Sequence, residues 1–445
     1  MQRAPDSTRR QFLRRSAAAG VVVASGGSVL ACGGGDDAPA APAALHGGKI
    51  RFLTGPLAAD DLKIQRDYAK AFERGQPKID VGVSLFDWGS MVPQLTTAYA
   101  GDRPPDLLHM SDSFWAKLAS QGAFLDVTDY VNSEGYAATR EAVPERYWDA
   151  LTYQDKIWGV PWLTGVYSAI YVNKDLMAKA GVDDWSSSYD AMREAARATT
   201  EGKTYGYAVA TTFTDFAYQE LMNYVFNSGA DFLDEEGRTG ALDTPEAAEA
   251  MEFLRVLHVD DKVTPPPGQY DRAGQEALFR AGRVAMYHSG GNAALITGSA
   301  EGKTLPFDWD VYAVPPGPKG NYVVVGLESF HIASRSKHPA EAFEYAKYLT
   351  TPDKIIEYDR LLDGVLQPCR TDVADRIYPA GEKWEVPQKL FDEFHPKGRA
   401  VRGVPKMIDA LRVFTEEFEA MVRGRKDGAA MVRDANAKID ELASA

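Results

Sequence analysis

The chain has 445 residues, more than one compact core readily organises, so two domains are the default expectation. Its 45% hydrophobic and 25% charged residues exclude a disordered or fibrous chain. A formal net charge of −14 excludes nucleic acid as the main partner, because neutralising phosphates needs clustered Lys and Arg.

The charge is uneven along the chain. The first 31 residues hold Arg3, Arg9, Arg10, Arg14 and Arg15 against Asp6, a surplus of four positive charges that leaves −18 on the remainder. Thr8-Arg9-Arg10-Gln11-Phe12-Leu13-Arg14 resembles the twin-arginine export motif. The weakly apolar run 16–31, rich in Ala, Gly and Val, is too short to span a bilayer and reads as the apolar region of a signal peptide. It ends in Val29-Leu30-Ala31-Cys32, which resembles a lipobox, in which the Cys thiol is acylated and becomes the new N-terminus. The alternative is a plain signal peptide cut elsewhere. Residues 1–31 are therefore expected to be a twin-arginine, lipoprotein-type signal, and residues 32–47, rich in Gly, Ala and Pro, a flexible tether. The protein is expected to be exported to the periplasm or the outer face of the cell membrane and held there by lipid on Cys32. Cys369 is then a single thiol and reads as a small buried hydrophobe.

In the body, residues 49–53 alternate like a strand and stop at Thr54-Gly55-Pro56. A helix is predicted over 61–74, with Leu62, Tyr68, Ala69 and Phe72 on one face. A second strand is predicted over 79–85, a helix over 91–100, a short buried strand over 105–110, and another helix through Ala119. This rhythm predicts an α/β fold with parallel-rich sheets flanked by helices. Ligands of such sheets sit beyond the carboxyl ends of the strands, here at residues 54–57, 86–90 and 111–113. Further strands are predicted over 168–172, 205–210, 284–287 and 311–314, with helices over 244–258 and 270–281. From Ala340 onward the chain reads as mostly helical.

Six segments in order then resemble the extracellular solute-binding proteins of ABC importers, in the carbohydrate-binding group of the maltose- and glycerol-phosphate-binding type. They are Pro104-Pro105-Asp106-Leu107-Leu108, Gly122-Ala123-Phe124-Leu125-Asp126-Val127-Thr128-Asp129-Tyr130-Val131, Lys156-Ile157-Trp158-Gly159-Val160-Pro161-Trp162, Tyr171-Val172-Asn173-Lys174-Asp175-Leu176, Ala277-Leu278-Phe279-Arg280-Ala281-Gly282-Arg283-Val284-Ala285-Met286-Tyr287 and Ala333-Ser334-Arg335-Ser336-Lys337. The resemblance covers residues 48–430. It implies a two-lobe periplasmic-binding-protein-like fold of type II with the ligand cleft at the hinge between lobes. Crossovers would fall at Val160-Pro161, at residues 311–315 and near 355–359. That divides the body into 48–160 and 311–356 for lobe 1, and 161–310 and 357–445 for lobe 2. It also implies a monomer that closes on a carbohydrate and hands it to the transmembrane subunits of an ABC permease, with no bond made or broken and no cofactor.

Sugars need flat apolar surfaces for their C–H faces and carboxylates, amides or Arg for their hydroxyls. The candidate contacts are Trp88, Ser111, Asp112, Trp162, Thr164, Tyr167, Phe216, Gln219, Gly291, Asn292, Glu328 and Arg370. Glu328 stands in an apolar stretch and needs a partner if buried, for which Arg370 is the candidate. Several carry a plainer alternative: Trp88 as a core residue, Ser111 and Asp112 as helix caps, Gly291-Asn292 as a tight turn, Glu328 and Arg370 as an interlobe ion pair. The family's frequent acidic residue after the first crossover is missing, with Gly165 and Val166 standing near its place.

A secreted glycoside-acting enzyme is the rival of a different class. No GxSxG, HExxH or GxxxxGK[ST] occurs, and the seven His show no metal-ligand spacing. A polyamine or polyol in the same fold remains a further alternative, as does a role in feeding a sensor kinase.

Overall fold

The computed structural model describes residues 44–444 apart from 59, 88–90, 102–103, 112–113, 216 and 291–304. The strands are, in chain order, β1 (Gly48–Thr54), β2 (Ile79–Leu85), β3 (Leu107–Ser111), β4 (Thr152–Tyr153), β5 (Lys156–Ile157), β6 (Val160–Val166), β7 (Ala169–Asn173), β8 (Tyr205–Ala208), β9 (Val284–Ser289), β10 (Trp309–Tyr312), β11 (Val323–Ile332), β12 (Gln367–Pro368) and β13 (Gly398–Ala400).

A seven-stranded sheet runs β12-β6-β11-β3-β1-β2, with β13 added alongside β11. A four-stranded sheet runs β10-β7-β9-β8. The strand-helix rhythm holds where it was read: β1 pairs in parallel with β2 and β3, and β8 with β9. The strands that join later are mostly antiparallel, including β11 to β3 and β6, and β7 to β9 and β10. Both sheets are therefore mixed. β11 is buried along all ten residues, so it reads as a near-continuous apolar run without a period of two.

One apolar cluster surrounds the large sheet and extends to Tyr171, Phe279 and Tyr287 on one face of the small sheet. A second lies on the other face of the small sheet, around Ile170, Val172 and Met286. Helices Ala217–Asn227, Pro245–Arg255, Met407–Val422 and Gly428–Ser444 complete it.

Sheet membership moves the first and third expected crossovers, while the second overlaps the expected residues 311–315. β6 belongs to the large sheet through Val166, so the chain leaves after Val166, not at Val160-Pro161. β10 belongs to the small sheet, so the return lies between Tyr312 and Val323. Helix Pro352–Leu361 packs Ile355, Ile356 and Tyr358 into the first cluster, and β12 and β13 pair with the large sheet. The last crossing therefore follows Ala400, where Val401 and Val404 enter the second cluster. The expected boundaries at 160 and 356 cut the chain too early because helical periodicity is the same in either half. Only strand pairing assigns a segment to a sheet. Arg399 of β13 reaches across to Asp231 at 2.7 Å and ties the two halves beside these crossings.

Asp359 is wholly buried, and neither of its oxygens has a hydrogen-bond partner among the described residues. The Tyr378 hydroxyl interacts with it without reaching bonding geometry. Burial raises this carboxyl well above its usual range. An acid whose folded pKa is raised stays protonated in the folded chain while the unfolded chain ionises, which costs stability at neutral pH. Asp359→Asn is therefore expected to raise the urea midpoint at pH 7 and to raise it less at pH 5. A loss of stability at pH 7 would show that the carboxyl has a partner that its position does not reveal.

Candidate functional site

The site starts from two strand ends and the middle of a third strand. β1 ends at Thr54, β3 at Ser111, and β11 carries Glu328 directly opposite Ser111 in the register. A carboxylate oxygen only accepts, so His109 Nε2 donates to Glu328 Oε2 at 2.7 Å. Ser111 Oγ donates to Oε1 at 2.9 Å. The other His109 nitrogen meets Thr54 Oγ1 at 3.0 Å. Both Glu328 oxygens are thus engaged, which answers the cost of burying that carboxylate.

Tyr167 follows β6 immediately. Its hydroxyl lies 3.5 Å from Ser111 Oγ, and its ring lies over the paired glycines Gly165 and Gly326. A Cβ at Gly326 would collide with that ring, so the close approach needs glycine there.

The next residue starts the small sheet's share. Ser168 Oγ meets His288 Nε2 at 2.7 Å, and His288 Nδ1 meets the Tyr207 hydroxyl at 2.7 Å. Burial lowers the His288 pKa to about 3, so the ring is neutral and one nitrogen donates while the other accepts. Beyond β9, Gly290 N donates to Glu220 Oε1 at 3.1 Å. The Arg272 guanidinium bonds the same oxygen and reaches Gln219 Oε1 at 3.5 Å and Ser289 Oγ at 3.4 Å. A Cβ at Gly290 would lie 3.2 Å from Arg272 and 3.8 Å from the Tyr167 backbone, which puts the guanidinium next to the crossing.

The structure thus brings together Ser111, Tyr167, Gln219 and Glu328 of the expected contacts. It removes three others. Trp162 is buried in the core, stacked with Tyr358 at 4.8 Å and against Phe330 at 4.7 Å. Thr164 is buried and donates to the Gly326 carbonyl at 2.8 Å, inside the sheet. Arg370 is buried with Asp372 at 2.6 Å and the Thr350 carbonyl at 2.7 Å, so it is not the partner of Glu328. Residues alternate across a strand, and Thr164 pairs with Leu327, so it lies on the face opposite that of Glu328. Trp88, Asp112, Phe216, Gly291, Asn292 and Cys32 lie outside the described residues. Cys369 is a buried free thiol, as read from its isolation.

Arg272 and Glu220 were not anticipated. One signal was available: Arg272 is the first residue of helix Arg272–Arg280, behind the Asp271 cap that accepts from Gly274 N at 2.7 Å. A cation at a helix N-terminus opposes the helix dipole and calls for a nearby anion.

Residues 56–355 match the family of bacterial extracellular solute-binding proteins. The chain belongs to that family. It is a binding protein rather than an enzyme. A Brucella abortus protein described as a binding protein is 24% identical over 409 residues, 91% of this chain and 95% of that one. The diacetylchitobiose-binding protein of Streptomyces coelicolor is 24% identical over 65% of this chain and 66% of its own length. The crystal structure of a Thermotoga lettingae ABC-transporter solute-binding protein, bound with α-D-tagatose, superposes with a TM-score of 0.72 at 24% identity, covering 89% of this chain and 99% of that one. The mixed α/β architecture is therefore that of the periplasmic binding proteins. For this solute-binding protein the junction of the two sheets, where Tyr167 bridges Ser111 and the Arg272 side, is the candidate ligand site.

Proposed function

We propose that this solute-binding protein captures a small carbohydrate, a mono- or oligosaccharide, between its two sheets and passes it to the membrane permease of an ABC importer. The observation that carries the reading is the meeting of polar groups from the two halves at one crossing. Ser111 and Glu328 come from the large sheet and Tyr167 directly follows its strand β6, while Gln219, Glu220 and Arg272 come from helices Ala217–Asn227 and Arg272–Arg280 beside the small one. A ligand touching both sets is released only when the sheets separate, which suits capture and hand-off. Tyr167 supplies the flat ring that a pyranose face stacks on. Relatives named for binding diacetylchitobiose and arabinooligosaccharide support the sugar class. Export by the leader in residues 1–31 and lipid on Cys32 would hold the body beside the permease.

Thermal unfolding of the full chain against maltose, N,N′-diacetylchitobiose, D-tagatose and spermidine tests this. A ligand at a hundredfold excess over its Kd stabilises the folded state by about 2.7 kcal/mol, so a binding sugar raises the Tm and is recovered unchanged. Tyr167→Ala is expected to weaken that sugar at least tenfold while the variant stays folded. A shift with spermidine alone overturns the sugar reading, and turnover of a sugar overturns the transport reading.

A further inference from the structure

We infer that Arg272 and Glu220 form a charge-balanced clamp that receives two neighbouring hydroxyls of a neutral ligand and turns away ions of either sign. This rests on the proposed sugar-binding reading and names the chemistry that its small-sheet half selects.

Glu220 is buried, with 0% of its side chain exposed, while Arg272 keeps 28% of its own open. Glu220 Oε1 takes both Gly290 N and the guanidinium. Glu220 Oε2 has no hydrogen-bond partner among the described residues. A buried carboxylate oxygen left unpaired is costly, and a donor arriving with a ligand removes that cost. The adjoining guanidinium offers N–H groups beyond those already used, because it carries five donors in a fixed fork. A hydroxyl is both donor and acceptor. One hydroxyl can give its proton to Glu220 Oε2 while its neighbour accepts from Arg272, which is the pattern of a vicinal diol.

The charges decide what is refused. Arg272 and Glu220 cancel one another, and Glu328 is committed to His109 and Ser111. A carboxylate on the ligand would face the Glu220 oxygen, and an ammonium would face the guanidinium. Like charges brought together in a partly desolvated cleft repel strongly.

The test uses the full chain, calorimetric titration, and five probes: D-tagatose, maltose, N,N′-diacetylchitobiose, D-glucuronate and spermidine. In the wild type one of the neutral sugars is expected to bind at least a hundredfold more tightly than glucuronate or spermidine. Glu220→Gln keeps the shape, leaves the guanidinium unbalanced, and is expected to shift the sugar-to-glucuronate ratio at least tenfold toward glucuronate. Arg272→Gln is expected to shift the sugar-to-spermidine ratio at least tenfold toward spermidine. A merely structural pair would weaken all probes alike, so unchanged ratios in folded variants overturn the clamp while leaving sugar binding standing. If the buried Glu220→Gln variant does not fold, the half-open Arg272→Gln variant carries the test. Glucuronate or spermidine binding the wild type as tightly as any sugar overturns it without a variant. Failure of all three sugars overturns the sugar reading itself and the clamp with it.

Discussion

Stability is expected to fall steeply once the pH drops below 6. His288, His331 and His395 are held by burial at pKa values of about 3, and His258 at about 4. Each is hydrogen-bonded as the neutral ring: His331 to the Trp158 carbonyl at 2.7 Å, His395 to the Tyr147 hydroxyl at 2.7 Å, and His258 to the Leu254 carbonyl at 2.8 Å. His288 lies between Ser168 and Tyr207. A histidine whose folded pKa is depressed stabilises the fold fully above its unfolded value of about 6.5, and that stability is lost as the pH falls toward the folded pKa. The unfolded chain takes up four protons in this window that the folded chain refuses. Asp359 works the other way and holds one proton that the unfolded chain has released. The net uptake is three protons, roughly 4 kcal/mol for each pH unit between about 6 and 4. The loss across that window, about 8 kcal/mol, is comparable with the margin of about 5–15 kcal/mol by which domains are stable, so the urea midpoint is expected to fall steeply between pH 6 and 4. Unfolding followed by tryptophan fluorescence from pH 8 to 3.5 reads this directly. A midpoint that stays level down to pH 4.5 would mean that these rings are protonated in place.

Trp162→Ala is expected to cost about 3–5 kcal/mol in urea unfolding at pH 7.5, the range for removing a large aromatic from a packed core. Its ring fills the space between Phe330 and Tyr358, with the His109 ring edge-on at 5.1 Å. Trp162→Phe keeps part of the stack and removes an indole N–H that has no partner among the described residues, so it is expected to cost under about 2 kcal/mol. Sugar affinity in Trp162→Phe is expected to stay within about twofold of wild type, since the ring is buried against Phe330, Tyr358 and His109 and has no surface left for a ligand. A tenfold loss of affinity at unchanged stability would return Trp162 to the ligand.

Trp162 shows why the site was only partly legible. In sequence it stands among apolar residues after a proline, where either a core or a cleft position fits. Its side is set by the pairing of β6 with β11, including the register shift between Glu328 and Ser329. Glu328 was legible as a buried carboxylate in need of a partner. Its partner was not: Arg370 was the expected candidate, and it pairs with Asp372 instead. His109 lies 219 residues away and reaches it only through the pairing of β3 with β11.

By itself the sequence determined the α/β class, the early strand-helix rhythm and membership of the solute-binding family. These follow from hydrophobic period, turn residues and ordered local motifs, all of which act over a few residues. The tertiary structure alone decided where the chain changes sheet, which side Trp162 takes, and that Arg272 meets Glu220 across 52 residues. Those outcomes depend on strand order and register. A period of two encodes which residues share a face, but not which strand lies beside it or which face meets the ligand.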